Sequence, residues 1–153
     1  MSNDDIETPP TDVTVELALG VRDTCLCFRA QQAARALARH FDAVLRPLGI
    51  NNGQYSMMMM LTPAEPRPFG AVARALGMDR TTLTAKIKPL ERRGLVALSV
   101  DGDDRRGRRL TLTDEGRALL AQAYPVWKDA HAKLEREAAE ESGFDPARAR
   151  SDL

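Results

Sequence analysis

The sequence predicts a mainly α-helical protein of the α+β class, in which a winged helix-turn-helix lies between long N- and C-terminal helices. Three observations support this fold class. Two long segments are rich in strong helix formers, for example LCFRAQQAARALARHFDAVL. Residues 68–93 contain two shorter helical segments separated by a turn. The alternating segments LVALSV and RLTLT follow directly and flank the turn DGDDRRGR, which is the pattern of a β-hairpin.

The N-terminal part comprises a short arm and the first long helix. Residues 1–12 are acidic and contain two prolines, so a flexible arm is expected there. The first helix is predicted from about Val13 to Leu48, because apolar residues recur at three- and four-residue steps. Pro47 and Gly49 are expected to end this helix.

The segment NNGQYSMMMMLTP predicts a second, shorter helix. Asn51 or Asn52 can cap its N-terminus, and Pro63 is expected to stop it. The run from Met57 to Met60 is apolar on every side of the helix. At least two of these methionines are therefore expected in the core.

The remaining helices carry their own end signals. After the loop AEPRP, the segment FGAVARALGM predicts a third helix that is closed by Gly77. The segment MDRTTLTAKIKPLERRG predicts a fourth, which begins near Asp79 or Arg80 and ends at Gly94. The last helix runs through TDEGRALLAQAYPVWKDAHAKLEREAAEES, and Thr113 can cap it.

Charge is distributed unevenly along the chain. Lys+Arg and Asp+Glu both number 22, so the formal net charge is zero. Between Arg80 and Arg109, however, nine basic residues stand against four acidic ones, a net charge of +5. Residues 1–16 carry five acidic residues and no basic one. A basic middle beside an acidic end favours an anionic partner for the middle.

The predicted fourth helix has two different faces. Leu83, Ile87 and Leu90 share an apolar face. The opposite face and its flanks carry small polar and basic residues, which suit a helix in the DNA major groove because small side chains allow close approach. The expected DNA contacts on this helix are Arg80, Thr81, Thr82, Thr84, Lys88 and Arg92. An ordinary solvated helix face is the alternative.

The turn DGDDRRGRR concentrates charges of both signs. A basic hairpin beside a recognition helix can insert an arginine into the minor groove, where negative potential is concentrated. A neighbouring carboxylate can hold that arginine in position. One of the arginines of this turn is therefore the expected DNA contact of the hairpin. The alternative is a charged, solvated turn built on the common dipeptide Asp101-Gly102.

The segment LGMDRTTLTAKIKPLERRGLVALSVDGDDRRGRRLTLTDEGRALL resembles the central part of MarR-type transcriptional regulators. The segment LRPLGINNGQYSMMMML resembles the entry to the second helix of the same family. Together the resemblance covers roughly residues 20–140. Its most specific part is the pattern D-x-x-D-R-R followed by L-x-L-T-x-x-G, which falls on Asp101, Asp104, Arg105, Arg106, Leu110, Leu112, Thr113 and Gly116.

The resemblance implies a homodimeric transcriptional repressor that binds double-stranded DNA at a near-palindromic operator. It makes residues 13–153 one domain, in which 13–62 and 114–153 form the dimerisation helices and 63–113 the winged helix-turn-helix. It also implies that the hairpin contacts DNA through Asp104, Arg105 and Arg106, with Arg106 in the minor groove and Asp104 bracing it. The ending SGFDPARARSDL is short for the further helix that often completes the dimer in this family.

The resemblance further implies a small-molecule effector, bound between the dimerisation helices and the winged helix. An apolar lining with a few polar groups suits an aromatic or lipophilic ligand. The expected lining residues are Cys27, Gln31, Phe41, Tyr55, Met58 and Met59. Plain core packing is the alternative for the methionines.

Some proteins of this kind respond instead to oxidation of a cysteine near the start of the first helix. Cys27 resembles that position, and Cys25 is the second thiol nearby. In the organic-hydroperoxide sensors, tyrosines four and fourteen residues later help to hold the sulfur. Those positions are Gln31 and Phe41 here, so both hydroxyls are missing. Two small buried hydrophobic residues are the alternative reading of the cysteines.

Other classes of function find little support. His40 and His131 have no partner in the sequence for nucleophilic catalysis, and there is no glycine-rich phosphate loop or spaced Cys/His cluster. Neither an enzyme, a cofactor nor a metal site is expected. The N-terminus lacks a signal-peptide pattern and no apolar run has membrane-spanning length, so a cytoplasmic protein without a membrane partner is expected. A winged helix that binds only other proteins is the second alternative.

Overall fold

The structure of the protein is a computed structural model that describes residues 12–100 and 107–142. The arm expected at residues 1–12 lies outside the described residues except for Asp12, and so does the ending from residue 143 onward. The chain divides into two compact units, residues 1–37 and 38–153.

The described elements are six α-helices and three short strands. In chain order they are α1 (Val15–Thr24), α2 (Leu26–Leu45), α3 (Asn52–Met60), β1 (Arg67–Pro68), α4 (Phe69–Ala75), α5 (Arg80–Arg92), β2 (Val96–Val100), β3 (Arg108–Leu112) and α6 (Asp114–Ser142). The predicted mainly α-helical fold with a winged helix-turn-helix is confirmed. Among the described helices, none combines the length and apolar character that crossing a bilayer requires.

The first long helix is not continuous, contrary to the prediction from the sequence. Helix α1 ends before Cys25, whose backbone is extended (φ −69°, ψ 109°), and α2 begins at the next residue. Gly20, Val21 and Thr24 weaken the helix just before the break because glycine and β-branched residues have low helix propensity. The Thr24 hydroxyl also donates to the carbonyl of Gly20 at 2.8 Å, which adds to this local weakening.

The end of the first long helix also differs from the prediction. Helix α2 ends at Leu45, and residues Arg46–Leu48 form a single 3₁₀ turn that contains Pro47. Gly49 follows with a φ of 71°, a left-handed conformation that favours glycine. Pro47 and Gly49 therefore mark the end of the helical segment, although the α-helix itself stops two residues earlier than Pro47.

The caps predicted for the shorter helices are confirmed. Asn51 is the N-cap of α3: its side chain accepts from the Gln54 backbone N–H at 2.8 Å, and the Gln54 side chain accepts from the Asn51 N–H at 3.0 Å. This reciprocal arrangement is a capping box. Asp42 adds a bond from α2, because its carboxylate accepts from the Asn52 N–H at 2.7 Å.

The sheet contains one strand more than the sequence predicted. Strands β2 and β3 form the expected antiparallel hairpin, with Leu98 opposite Leu110. Residues Arg67–Pro68, expected in a loop, pair antiparallel with the other edge of β3, so the order is β1-β3-β2. Such a two-residue edge strand has no alternating pattern of its own, and it forms only because β3 offers a free edge.

A hydrophobic core joins the described elements of the larger unit. Helix α5 contributes its predicted apolar face, since Leu83, Ile87 and Leu90 are all buried. The core is completed from α3, α4, the sheet and α6 by residues that include Tyr55, Met57, Met58, Val72, Leu110, Leu112, Leu120 and Ala123. Two of the four consecutive methionines are thus fully buried, as expected. This packing fixes the outward face of α5.

Candidate nucleic-acid interface

Helix α5 begins at a well-formed cap. The carboxylate of Asp79 accepts from the Thr82 backbone N–H at 2.8 Å and from the Thr82 hydroxyl at 2.7 Å. These two hydrogen bonds hold the pKa of Asp79 below its usual value, and the bond from the Thr82 hydroxyl has the larger effect. Asp79 is therefore ionised at neutral pH, and the first turn of the helix is fixed in place.

The outward face of α5 carries the side chains that the sequence predicted to contact DNA. Because the apolar face is packed into the core, the opposite residues point away from the protein. Of the six residues predicted on this helix, Arg80, Thr81, Thr84, Lys88 and Arg92 are exposed, whereas Thr82 is half-buried beside the cap. Five of the six predicted helix residues are thus fully accessible.

A cleft of about 270 Å³ separates α5 from the hairpin. The side chains that line it are Phe69, Arg80, Thr84, Ile87, Lys88, Glu91, Leu98 and Arg108. Three cations and one carboxylate share this lining, so its electrostatic character is positive. The Arg80 guanidinium lies over the Phe69 ring, with 5.4 Å from Cζ to the ring centroid, which restrains this arginine.

Arg108 was not among the residues predicted from the sequence. It lies at the first position of β3, opposite Val100, and its side chain faces the cleft beside α5. The only sequence signal was its place at the end of the basic turn. Which face of the strand it occupies depends on the register of the hairpin.

The base of the hairpin is well anchored. The Arg109 guanidinium donates to the carbonyl oxygen of Pro66 at 3.1 Å, across the β1–β3 edge. The three residues predicted to contact DNA from the hairpin tip, Asp104, Arg105 and Arg106, lie outside the described residues.

The predicted effector residues of the larger unit lie in and beside an aromatic cluster. Phe41 and Tyr55 are buried and stack on Trp127 of α6, with ring centroids 6.2 and 5.7 Å away. Burial raises the pKa of Tyr55, and the charge interaction with the nearby Tyr124 raises it further. Met58 is completely buried, whereas Met59 is 37% exposed. Trp127 itself was missed, since a lone tryptophan on a long helix carries no pairing signal.

The predicted effector and redox residues of the smaller unit are accessible. Cys25 is half-buried at the break between α1 and α2, Cys27 is exposed, and both thiols are free. Gln31 is exposed, and its side-chain oxygen accepts from Arg35 at 3.3 Å. The alternative reading of both cysteines, as small hydrophobic residues buried at a helix interface, stays a prediction, because these exposures are those of a single chain.

The described residues contain no cluster of three or more His, Cys, Asp or Glu side chains placed to hold a metal ion. His131 instead lies 3.5 Å from the Glu135 carboxylate on the same helix, and its ring is 4.7 Å from that of Trp127. These two contacts of the His131 ring, one polar and one aromatic, are therefore made with neighbouring side chains of the same helix.

Comparison with known proteins places this geometry among transcriptional regulators. A family model described as "MarR family" matches residues 48–107. The chain is similar to the M. tuberculosis transcriptional regulator MosR in complex with DNA, with 34% identity, a TM-score of 0.72, and coverage of 84% of this chain and 90% of that one.

Two characterised sequences are also similar. The organic hydroperoxide resistance transcriptional regulator of Bacillus subtilis (strain 168) is 27% identical over 66% of this chain and 69% of its own length. The transcriptional activatory protein BadR of Rhodopseudomonas palustris is 35% identical over 63% of this chain and 59% of its own length. These relatives are regulators and not enzymes.

Proposed function

The chain belongs to the MarR family of transcriptional regulators, and from this premise we propose that it is a homodimeric repressor which a small aromatic or lipophilic ligand releases from a near-palindromic operator. The observation that carries the proposal is the outward face of α5, where basic and small polar side chains lie beside a positive cleft. Such a face supports entry into the major groove, where threonine reads base edges and Lys or Arg binds phosphate.

The homodimer is supported by apolar side chains that lack cover within one chain. Helix α1 has no buried residue, and Val15 is 78% exposed. On α6, Tyr124 and Val126 are also exposed. Exposed apolar surface of this kind is typical of an interface between subunits. The proposed dimerisation segments are residues 13–62 and 114–153, and the proposed DNA-binding segment is 63–113.

The aromatic cluster supports an aromatic or lipophilic effector. Phe41, Tyr55 and Trp127 offer stacked ring surfaces, and Met59 beside them is partly exposed and flexible. A ligand that inserts among these side chains would shift α3 against α6. Because α3 also packs on α5, such a shift would reach the DNA-binding face.

The experiment that tests DNA binding uses fluorescence anisotropy on duplex DNA from upstream of the protein's own gene. We expect tight binding by the wild type and a loss of roughly 1–3 kcal/mol in the Arg106→Ala variant, the usual effect of removing one specific contact. Arg136→Ala, which removes the same charge from α6, is the control and should bind like the wild type. Because α6 belongs to a proposed dimerisation segment, size-exclusion chromatography checks that this variant is still a dimer. Equal binding by Arg106→Ala would show that this arginine does not contact DNA.

A protein-interaction module without DNA binding is the competing outcome of that experiment. It predicts that neither the wild type nor any variant binds the duplex at moderate salt. Ligand release is tested in the same assay by adding aromatic carboxylates and lipophilic phenols, which should lower the affinity of the wild type for the duplex.

A second candidate function is thiol-based sensing of oxidants. The observation that favours it is that both thiols are free and that Cys27 is exposed in the single chain. Peroxide would oxidise the Cys27 thiolate to a sulfenic acid while itself being reduced to an alcohol or water. Cys25 lies two residues away, at the break between α1 and α2. Attack by the Cys25 thiolate on the sulfenic sulfur would then form a disulfide and release hydroxide, which takes up a proton to become water. The name of the B. subtilis relative is consistent with such a role.

Cumene hydroperoxide distinguishes the two modes of control. If thiol sensing operates, the wild type should lose DNA affinity on oxidation, whereas Cys27→Ser should keep it. If the wild type binds equally well with and without oxidant, the cysteines have no sensing role and the aromatic cluster is the remaining effector site.

A further inference from the structure

We propose that Asp79 determines part of the base preference of α5 by fixing the Thr82 hydroxyl as a hydrogen-bond acceptor toward DNA. This inference rests on the proposed DNA-binding function and deepens it. Asp79 is a positioning residue in this proposal, because it acts on DNA only through Thr82.

The direction of the hydrogen bond between these side chains follows from their chemistry. The Thr82 hydroxyl lies 2.7 Å from one carboxylate oxygen of Asp79, and the other carboxylate oxygen accepts the Thr82 backbone N–H. An ionised carboxylate has only acceptors, so the single hydroxyl proton of Thr82 must point at Asp79. The lowered pKa of Asp79 keeps the carboxylate ionised at neutral pH. Only lone pairs of the Thr82 oxygen remain for another partner.

The Thr84 hydroxyl is also left with only acceptor lone pairs, but for a different reason. This hydroxyl donates at 2.7 Å to the backbone carbonyl of Arg80, which is also an acceptor only. A side-chain substitution cannot change this carbonyl, so Thr84 provides an internal reference within the same helix. Of the two fixed hydroxyls, only that of Thr82 depends on a replaceable side chain.

An acceptor-only hydroxyl discriminates between bases in the major groove. It can bind the amino group of adenine N6 or cytosine N4, whereas guanine and thymine present carbonyl acceptors at the corresponding edge. Every base pair has one amino group there, so the choice is which strand carries it. On the strand that Thr82 faces, we expect adenine or cytosine in preference to guanine or thymine.

The Asp79→Asn substitution is expected to reverse this preference. Asparagine is as good an N-cap as aspartate and can accept the Thr82 backbone N–H through its carbonyl oxygen. Its amide NH₂ then takes the place of the second carboxylate oxygen and donates to the Thr82 hydroxyl. The hydroxyl proton becomes free to donate to guanine or thymine carbonyls.

The test selects binding sites for the full-length protein from a randomised duplex library and sequences them. The wild type should prefer adenine or cytosine at the position that Thr82 faces, and Asp79→Asn should prefer guanine or thymine there. The preference at the position that Thr84 faces, and at all other positions, should be unchanged. Thr82→Val, which keeps the shape and removes the hydroxyl, should lose discrimination at this position. Thermal unfolding should give closely similar stabilities for the wild type and Asp79→Asn.

Two outcomes would overturn the proposal, and they are distinguishable. If the wild type enriches a half-site and Asp79→Asn keeps the same preference at every position, Asp79 does not set the polarity of a base contact. If the wild type enriches no sequence at all, the proposed DNA-binding function fails and this inference fails with it.

Discussion

Replacement of Gly116 by alanine is expected to lower the free energy of unfolding by about 3 kcal/mol, near the upper end of what overpacking a core costs. Gly116 lies in the first turn of α6, where the helix passes directly over the end of the segment that joins α5 to β2. A Cβ atom at this position would lie 2.2 Å from the backbone carbonyl oxygen of Leu95 and 2.7 Å from Cδ1 of Leu112. The oxygen belongs to the backbone and cannot rotate away.

The surrounding hydrogen bonds prevent α6 from moving to relieve this clash. The Thr113 hydroxyl donates to the carbonyl of Gly94 at 2.6 Å and accepts from the Gly116 N–H at 3.0 Å. The Thr113 backbone N–H donates to the carbonyl oxygen of Leu95 at 3.2 Å. An alanine at Gly116 must therefore either break this junction or displace the buried strand residue Leu112, and both changes destabilise the fold.

Urea denaturation followed by circular dichroism measures this effect. Gly70→Ala in α4 is the matched control, because a Cβ at Gly70 would meet only the flexible guanidinium ends of Arg80 and Arg74, at 3.5 and 3.9 Å. Since alanine is the better helix former, this control should be neutral or slightly stabilising. A Gly116→Ala protein as stable as the wild type would mean that the start of α6 does not pack as closely on Leu95 as the structure has it.

The Lys88→Glu substitution is expected to weaken operator binding at least a hundredfold, or about 3 kcal/mol. Lys88 is exposed on the outward face of α5 and borders the positive cleft together with Arg80 and Arg108. If Lys88 binds a phosphate, the substitution removes one attraction to the DNA and adds one repulsion in each protomer of a dimer. The protein fold should be unaffected because the side chain makes no buried contact.

Salt dependence separates a phosphate contact from a general effect of charge. Lys88→Ala should bind more weakly than the wild type. The negative slope of log K against log salt should become less steep by about two units, one for each protomer of a dimer. Lys128→Glu, an exposed charge reversal on α6, is the control and should leave both affinity and slope close to those of the wild type. Size-exclusion chromatography checks that this variant keeps the oligomeric state of the wild type. A Lys88→Ala protein with an unchanged slope would remove Lys88 from the list of phosphate contacts.

The sequence by itself determined the parts of the fold that depend on local pattern. The apolar period of Leu83, Ile87 and Leu90 predicted the buried face of α5, and with it the face available to DNA. Caps were equally readable, because Asp79 and Thr113 satisfy backbone groups three residues away. The two strands of the hairpin followed from alternation on either side of a turn. In each case the interaction partners are close together in the chain.

Only the tertiary structure decided the features that join distant segments. The strand β1 forms because β3 has a free edge, and Trp127 stacks on Phe41 although 85 residues separate them in the sequence. The requirement for glycine at Gly116 comes from the carbonyl of Leu95, which no local pattern contains. The break in the helix at Cys25 results from several weak local propensities, and the apolar pattern alone did not show where the helix would be interrupted.

The candidate DNA-binding site shows the same division. Residue types on α5 predicted which side chains point away from the core, since a helical period orders them without any knowledge of the fold. The direction in which the Thr82 and Thr84 hydroxyls donate, and the place of Arg108 in the cleft, required coordinates. Hydrogen-bond polarity and strand register depend on the positions of individual atoms, and a sequence of residue types specifies those only after the chain has packed.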